Sequence, residues 1–122
     1  MRIIVTGSRK WNDKVAVWDA LNDAYQEHGP FMLVHGGCST GADAIAAEWW
    51  RAASRLVGVE MDVFHAAWGA RGKAAGPERN QRMIEAGADL VLAFPLPEGS
   101  GTQHTIRLAR EAGIEVQEFT HE

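Results

Sequence analysis

Three stretches of the chain are apolar at nearly every position: residues 2–5, 31–34 and 90–94. A short run without polar alternation is the pattern of a strand covered on both faces. Two other stretches alternate. In residues 59–64, Val59, Met61 and Val63 face one way and Glu60 and Asp62 the other, and residues 114–119 repeat the pattern. Alternation of this kind predicts half-exposed strands at the edges of a sheet. Between the strands the apolar period changes to that of a helix. Val17, Trp18, Leu21, Ala24 and Tyr25 form one stripe within 13–28, which Gly29-Pro30 stops; Ala42, Ile45, Ala46, Trp49, Ala53 and Leu56 form a second within 40–56. Trp50 lies off that stripe, as a residue at the edge of the core or as a dimer contact. A third helix is predicted from Pro77 to Gly87 and a fourth from the turn Gly99-Ser100-Gly101-Thr102 to about Ala112, with Gly113 as its stop. Residues 65–76 show no period and read as a long loop.

Strict alternation of strand and helix implies parallel crossovers, and right-handed crossovers favour the strand order 3-2-1-4-5 with helices on both faces. The expectation is a single α/β domain over residues 1–122, a three-layer α/β/α sandwich on a five-stranded parallel sheet. Its functional consequence is positional. The loops 7–11, 36–43, 65–79 and 95–102 all leave carboxyl ends of strands, where open α/β sheets bind ligands.

These loops carry the candidate chemistry. Gly36, Gly37 and Gly41, with Thr40 and Asp43, make a strand-to-helix turn whose backbone can approach an anion closely. Gly36 and Gly41 bracket four residues as in a nucleoside-triphosphate loop, but Ala42-Asp43 stands where Lys-Ser/Thr would be needed. No Gly-x-Gly-x-x-Gly follows the first strand either. Gly7, Ser8 and Arg9, and Gly99, Ser100, Gly101 and Thr102, could hold phosphate or ribose in the same way, or could serve only as turns and caps. Arg79, beside Asn80 in a first helical turn, opposes the helix dipole. Either it pairs with a phosphate, carboxylate or base, or it forms a salt bridge with Asp43 or Glu78. His35 and Cys38 lack a second pair at metal-ligand spacing, so no metal is expected. Cys38 or Ser39 could act as a nucleophile with His35, His65 or His104 as base, yet no spacing marks a triad. A histidine closing a buried strand is more often a satisfied core residue.

Charge narrows the classes. The 122 residues carry a net charge of −4 and a pI near 5.7, which disfavours a general nucleic-acid surface. The local exceptions are Arg9-Lys10, Arg71 with Lys73, and Arg79 with Arg82. One cysteine excludes an internal disulfide, no apolar run is long enough to span a bilayer, and Met1-Arg2 leads straight into a strand. A cytoplasmic protein without a membrane partner is the expectation.

Five motifs occur in order: Val5-Thr6-Gly7-Ser8-Arg9-Lys10-Trp11; His35-Gly36-Gly37 with Gly41-Ala42-Asp43; Glu48-Trp49 and Trp68; Gly76-Pro77-x-Arg79-Asn80-x-Arg82-Met83; and Ala93-Phe94. Across nearly the whole chain this resembles the YspA/YpsA-related branch of the SLOG superfamily. Relatives of that branch are the LOG phosphoribohydrolases, which release cytokinin bases from nucleotides, and the single-strand-binding protein DprA. The resemblance implies a Rossmann-like fold and a nucleotide or nucleotide-derived ligand. It also implies a phage or bacterial setting in which such proteins sense ligands, and commonly a homodimer or higher homo-oligomer; no cofactor is called for. Gly7, Ser8, Arg9, Gly36, Gly37, Thr40, Gly41, Gly76, Arg79 and the 99–102 turn would hold phosphate, with Asp43 and Asn80 orienting ribose or base and Trp68 stacking on the base from a lid. LOG enzymes carry a glutamate where this chain has Thr105. An enzyme cleaving an N-glycosidic or phosphoribosyl bond would have to rely on Asp43 and Arg79. A third reading, a DprA-like module, would use Arg9, Lys10, Arg71, Lys73 and Arg82.

Overall fold

Five parallel strands in the order β3-β2-β1-β4-β5 form the sheet of the computed structural model, which describes residues 1–97 and 100–120, without the side chains of 53–57. In chain order the elements are β1 (Arg2–Gly7), α1 (Lys14–His28), β2 (Met32–His35), α2 (Gly41–Val57), β3 (Glu60–Val63), α3 (Trp68–Arg71), α4 (Ala75–Glu85), β4 (Leu90–Phe94), α5 (Ser100–Glu111) and β5 (Glu115–Glu118). The order and parallel sense match those expected of alternating strands and helices. Gly99, and the side chains of Ala53 and Leu56, lie outside the described residues.

The continuously apolar strands form the centre because each must cover two faces. β1 pairs with β2 and with β4, setting Ile4 between Val34 and Val91. Alternate residues then face opposite cores. Ile3, Val5, Leu33, Leu92 and Phe94 pack with Val17 and Leu21 of α1 and Ala46 and Trp49 of α2. Ile4, Val34, Val91 and Ala93 pack with Met83 and Ile84 of α4 and Ile106 and Ala109 of α5. The alternating strands β3 and β5 lie at the edges. Trp49 stacks on Phe31 at 5.9 Å and donates to Asn22 Oδ1 at 2.8 Å, and Trp50 donates to the Val59 carbonyl at 2.7 Å. Trp50 therefore has the position of a core-edge residue, and both indoles are engaged within the protomer.

Residues 65–76 depart from the unstructured loop expected there. They contain the single turn α3 and a 3-10 turn, Gly72–Ala74, that runs directly into α4. One turn offers no second apolar position from which a period could be read, and no residue of α3 is buried. Contacts outside the pattern hold it: Arg71 pairs with Glu78 at 2.7 Å, and the far edge of the Trp68 ring lies over Gly76. Consequently α4 starts at Ala75, with Pro77 inside its first turn, where a missing N–H is no loss.

β1 extends to Gly7 because Thr6 and Gly7 pair with Ala93 and Phe94. A Cβ at Gly7 would come within 2.5 Å of Ala42 Cβ and 2.9 Å of the Phe94 carbonyl oxygen. The absent side chain lets the start of α2 sit directly against the sheet. Gly7→Ala should therefore lower unfolding free energy by about 1–3 kcal/mol. Gly101→Ala, where a Cβ meets nothing within 4 Å, should be neutral or gain up to about 1 kcal/mol. Urea denaturation of the two variants checks this, and equal losses would refute the packing account.

Candidate functional site

The carboxyl edge of the sheet is held together by hydrogen bonds between loops. In the first loop, Ser8 donates its N–H to the Phe94 carbonyl at 3.1 Å, while its hydroxyl accepts from the Lys10 N–H at 3.1 Å. That buried hydroxyl shapes the turn. Gly41, at φ 77°, lies so close to the Ser8 carbonyl that a Cβ would collide with it. Only glycine fits both the conformation and the space.

In the second loop, buried Asp43 reaches back along its own chain. Its Oδ2 accepts from the N–H groups of Gly36 at 3.2 Å and Cys38 at 3.3 Å. His35 Nδ1 accepts from the Gly37 N–H at 3.0 Å, which puts the ring proton on Nε2, 3.1 Å from Met61 Sδ. Both polar atoms of this histidine are occupied in the core.

Arg79 crosses from α4 to this loop. Its Nη1 donates to the Gly36 carbonyl at 2.6 Å and its Nε to Asn80 Oδ1 at 2.9 Å. A Cβ on Gly36 would fall on the guanidinium. Asn80 in turn directs Nδ2 to the Gly101 carbonyl at 3.4 Å and to His104 Nδ1 at 3.2 Å. The side chains of Arg79 and Asn80 thus join the β2–α2 turn to the start of α5. The expected alternative for Arg79, a salt bridge to Asp43 or Glu78, is not the arrangement formed: Glu78 pairs with Arg71.

These loops enclose a cavity of about 760 Å³. It brings together Gly7, Ser8, Arg9, Gly36, Asp43, Trp68, Gly76, Arg79, Asn80, Ser100, Gly101 and Thr102 of the expected set. Gly37 and Thr40 instead line an adjoining hollow of about 280 Å³, and Gly41 lines neither. Val5, Thr6, Pro77 and Met83 also form walls of the larger cavity, outside the set expected from the sequence. Val5 reads as core from its apolar strand, and its place near the carboxyl end of that strand is the available signal; Met83 enters the sequence reading only within a motif. Lys10 and Lys73 also line the cavity, although they had been grouped only as cations for nucleic acid. Trp68 is 47% exposed, with the Arg9 guanidinium 5.3 Å from the centre of its ring.

Electrostatics separate the candidate chemistries. Burial pushes the Asp43 carboxyl above the ordinary carboxylate range, against the opposing pull of His35, the Cys38 N–H and Arg79. Burial also pushes His35 down, towards its neutral form. The Cys38 thiol is raised by burial and by the adjacent Asp43 charge, the opposite of an activated nucleophile. Thr105 is fully buried and donates to the Gly101 carbonyl at 3.3 Å, so it closes the first turn of α5. No group of three or more His, Cys, Asp or Glu side chains suited to a metal occurs among the described residues. No described helix is long and apolar enough to cross a membrane.

Comparison with known proteins gives two findings. A family model described as "YAcAr: YspA, cpYpsA-related SLOG family" matches residues 1–70. The chain is also similar to "Gene 61 protein" of Mycobacterium phage D29, with 45% identity over 121 residues, covering 97% of this chain and 95% of the relative.

The brace made by Asp43 can be tested through its charge. Asn at position 43 keeps an oxygen acceptor for both N–H groups and removes the buried charge, whereas Ala orphans both donors. Asp43→Ala should lose about 2–3 kcal/mol, and Asp43→Asn should be neutral or stabilising near pH 8. Because the folded carboxyl is raised, its favourable contribution is complete below the ordinary carboxylate pKa and is lost as pH rises through the folded value. The advantage of Asp43→Asn over wild type should accordingly shrink as pH falls. Urea titrations at several pH values check the sign, and an advantage that grows with acid would contradict the raised pKa.

Proposed function

The chain belongs to the YspA, cpYpsA-related SLOG family, and from that premise we propose that its cavity binds a nucleotide or nucleotide-derived small molecule as a ligand sensor. Family membership points to nucleotide-related function, and the site supplies the finer reading. The observation that carries it is the set of cationic side chains, Arg9, Lys10, Lys73 and Arg79, on the walls of one cavity with Asp43 as the only carboxylate lining it among the described residues. On a chain of net charge −4, such a concentration favours an anionic ligand by Coulomb attraction in a partly desolvated space.

The pieces divide the work. Arg79, already oriented by Gly36 and Asn80, presents its remaining N–H groups to a phosphoryl oxygen without first having to be ordered. Ser100, Gly101 and Thr102 at the start of α5 add helix-terminal N–H groups. Pro77 offers an apolar contact for a base, and the Trp68 ring a stacking face.

Binding without turnover is favoured over N-glycosidic cleavage by how Asp43 is used. Cleavage needs a carboxylate aimed at a developing oxocarbenium ion, whereas the Asp43 Oδ2 holds two backbone N–H groups and burial favours its neutral form. Thr105 supplies no charge in its place. The nucleic-acid reading loses one of its five cations, since Arg71 pairs with Glu78.

Thermal denaturation with a panel of nucleoside mono-, di- and triphosphates and dinucleotides tests the proposal. A ligand at 100 times its Kd should stabilise the protein by about 2.7 kcal/mol. The shift should fall sharply in Arg9→Ala and Lys73→Ala, whose exposed side chains are not needed for folding, and chromatography should recover the ligand intact. No shift with any nucleotide would defeat the proposal. Release of a free base or ribose phosphate would replace sensing with catalysis.

A further inference from the structure

We infer that the smaller hollow is a second anion subsite, so that the ligand carries two phosphoryl groups, one in each chamber. This rests on the nucleotide reading above and specifies its substrate class. The two spaces are continuous in their walls: Arg9, Gly36, Cys38, Trp68 and Arg79 line both.

Charge is the first reason. Among the described residues, no salt bridge pairs Arg9, Lys10, Lys73 or Arg79 with a carboxylate. The one carboxylate lining the cavity among the described residues, Asp43, accepts from backbone N–H groups, and burial disfavours its charge. A single phosphomonoester carries about −1.5 to −2 at neutral pH. It would leave roughly half of four cations uncompensated, whereas a second phosphoryl group brings the sum close to neutrality.

The character of the smaller hollow is the second. Ala66 and the shared Trp68 are its apolar side chains, and the rest of its wall consists of the Gly36, Gly37 and Cys38 segment, the hydroxyl residues Ser39 and Thr40, His65 and the two arginines. Among the described residues, no carboxylate lines it. Its volume of about 280 Å³ is under half that of its neighbour. A base would find little apolar surface there, while a phosphoryl group would meet hydroxyls and guanidinium groups.

The third reason is where the two arginines are held. The Trp68 ring lies 5.3 Å below the Arg9 guanidinium, and the bonds from Arg79 to Gly36 and Asn80 fix that guanidinium on the wall common to both spaces. Each cation can then serve either chamber. Adjacent phosphoryl groups and groups on two ribose positions share this chemistry; a pyrophosphate bridge fills both chambers with only one charge on each phosphorus, and so tests position without added charge.

Isothermal titration with adenosine and guanosine 5′-monophosphates, the matching 5′-diphosphates, the 3′,5′-bisphosphates and a pyrophosphate-bridged dinucleotide distinguishes these sources. At least one two-phosphoryl form should bind about 30-fold more tightly than its monophosphate, the scale of one additional charge-assisted phosphate contact. Ser39→Glu and Ala66→Glu place a negative charge in the smaller hollow alone. In both variants, each melting like wild type without ligand, the gain should fall below about threefold, with monophosphate affinity losing much less than two-phosphoryl affinity. The inference is overturned if monophosphates bind as well as every two-phosphoryl form, if the gain survives both substitutions, or if the variants lose monophosphate affinity equally. If no nucleotide binds at all, the nucleotide reading falls with it; monophosphate binding without a gain removes the second subsite alone.

Discussion

The hydrogen bond from Arg79 to the Gly36 carbonyl is the contact on which the carboxyl edge of this protein depends. It joins α4, on one face of the sheet, to the loop that begins α2 on the other. A charged donor to a buried carbonyl contributes about 1.5–3 kcal/mol, enough to fix the position of a loop. Because α4 begins at Ala75, Arg79 is its fifth residue, beyond the first turn in which the sequence places it, and the helix dipole weighs little against it. The bond forms because Gly36 has no side chain, because Asp43 draws the Gly36 and Cys38 N–H groups inward, and because Asn80 holds Nε from the other side. Changing any of these would release the guanidinium.

The sheet beneath makes such a narrow arrangement reproducible. β1 lies between β2 and β4, and the order reverses at β1, so the loops after β1 and β4 part and leave a crevice. Gly7 narrows it from below by admitting Ala42 of α2 against the sheet. Trp11 packs edge-on against Phe94 at 5.3 Å, closing one side with a buried ring. Side chains in such a densely packed layer have little room to move, and the polar groups above inherit its geometry.

The fold could be read from the sequence because its strongest signals were hydrophobic and local. Ile3 to Val5 and Leu90 to Phe94 have no polar residue to face solvent, and Glu60 and Asp62 have no core position to occupy; together these assign centre and edge. The site was legible as residue types at strand ends, but its connections were not. Nothing near Arg79 in sequence points to Gly36, which lies 43 residues away, and the charge partners that sequence offered, Asp43 and Glu78, were not those chosen. Asn80 read as a contact for ribose or base; its amide is engaged between Arg79, Gly101 and His104. α3 escaped notice because a single exposed turn held by Arg71, Glu78 and Trp68 leaves no periodic trace.

The buried acid and base of the second loop act on one another and on the charge of the wall above them. Asp43 and His35 lie close enough to act on one another, and each opposes part of the shift that burial imposes on the other. Burial is the larger effect in both, so both are driven towards neutrality. The more burial disfavours the Asp43 charge, the less that carboxyl offsets Arg79 on the same wall. Moving the carboxyl into the core and giving it two N–H donors preserves the shape of the loop while leaving the positive potential of Arg79 to act outward. An acidic chain thus lines one cavity with four cations and, among the described residues, a single carboxylate whose charge burial disfavours.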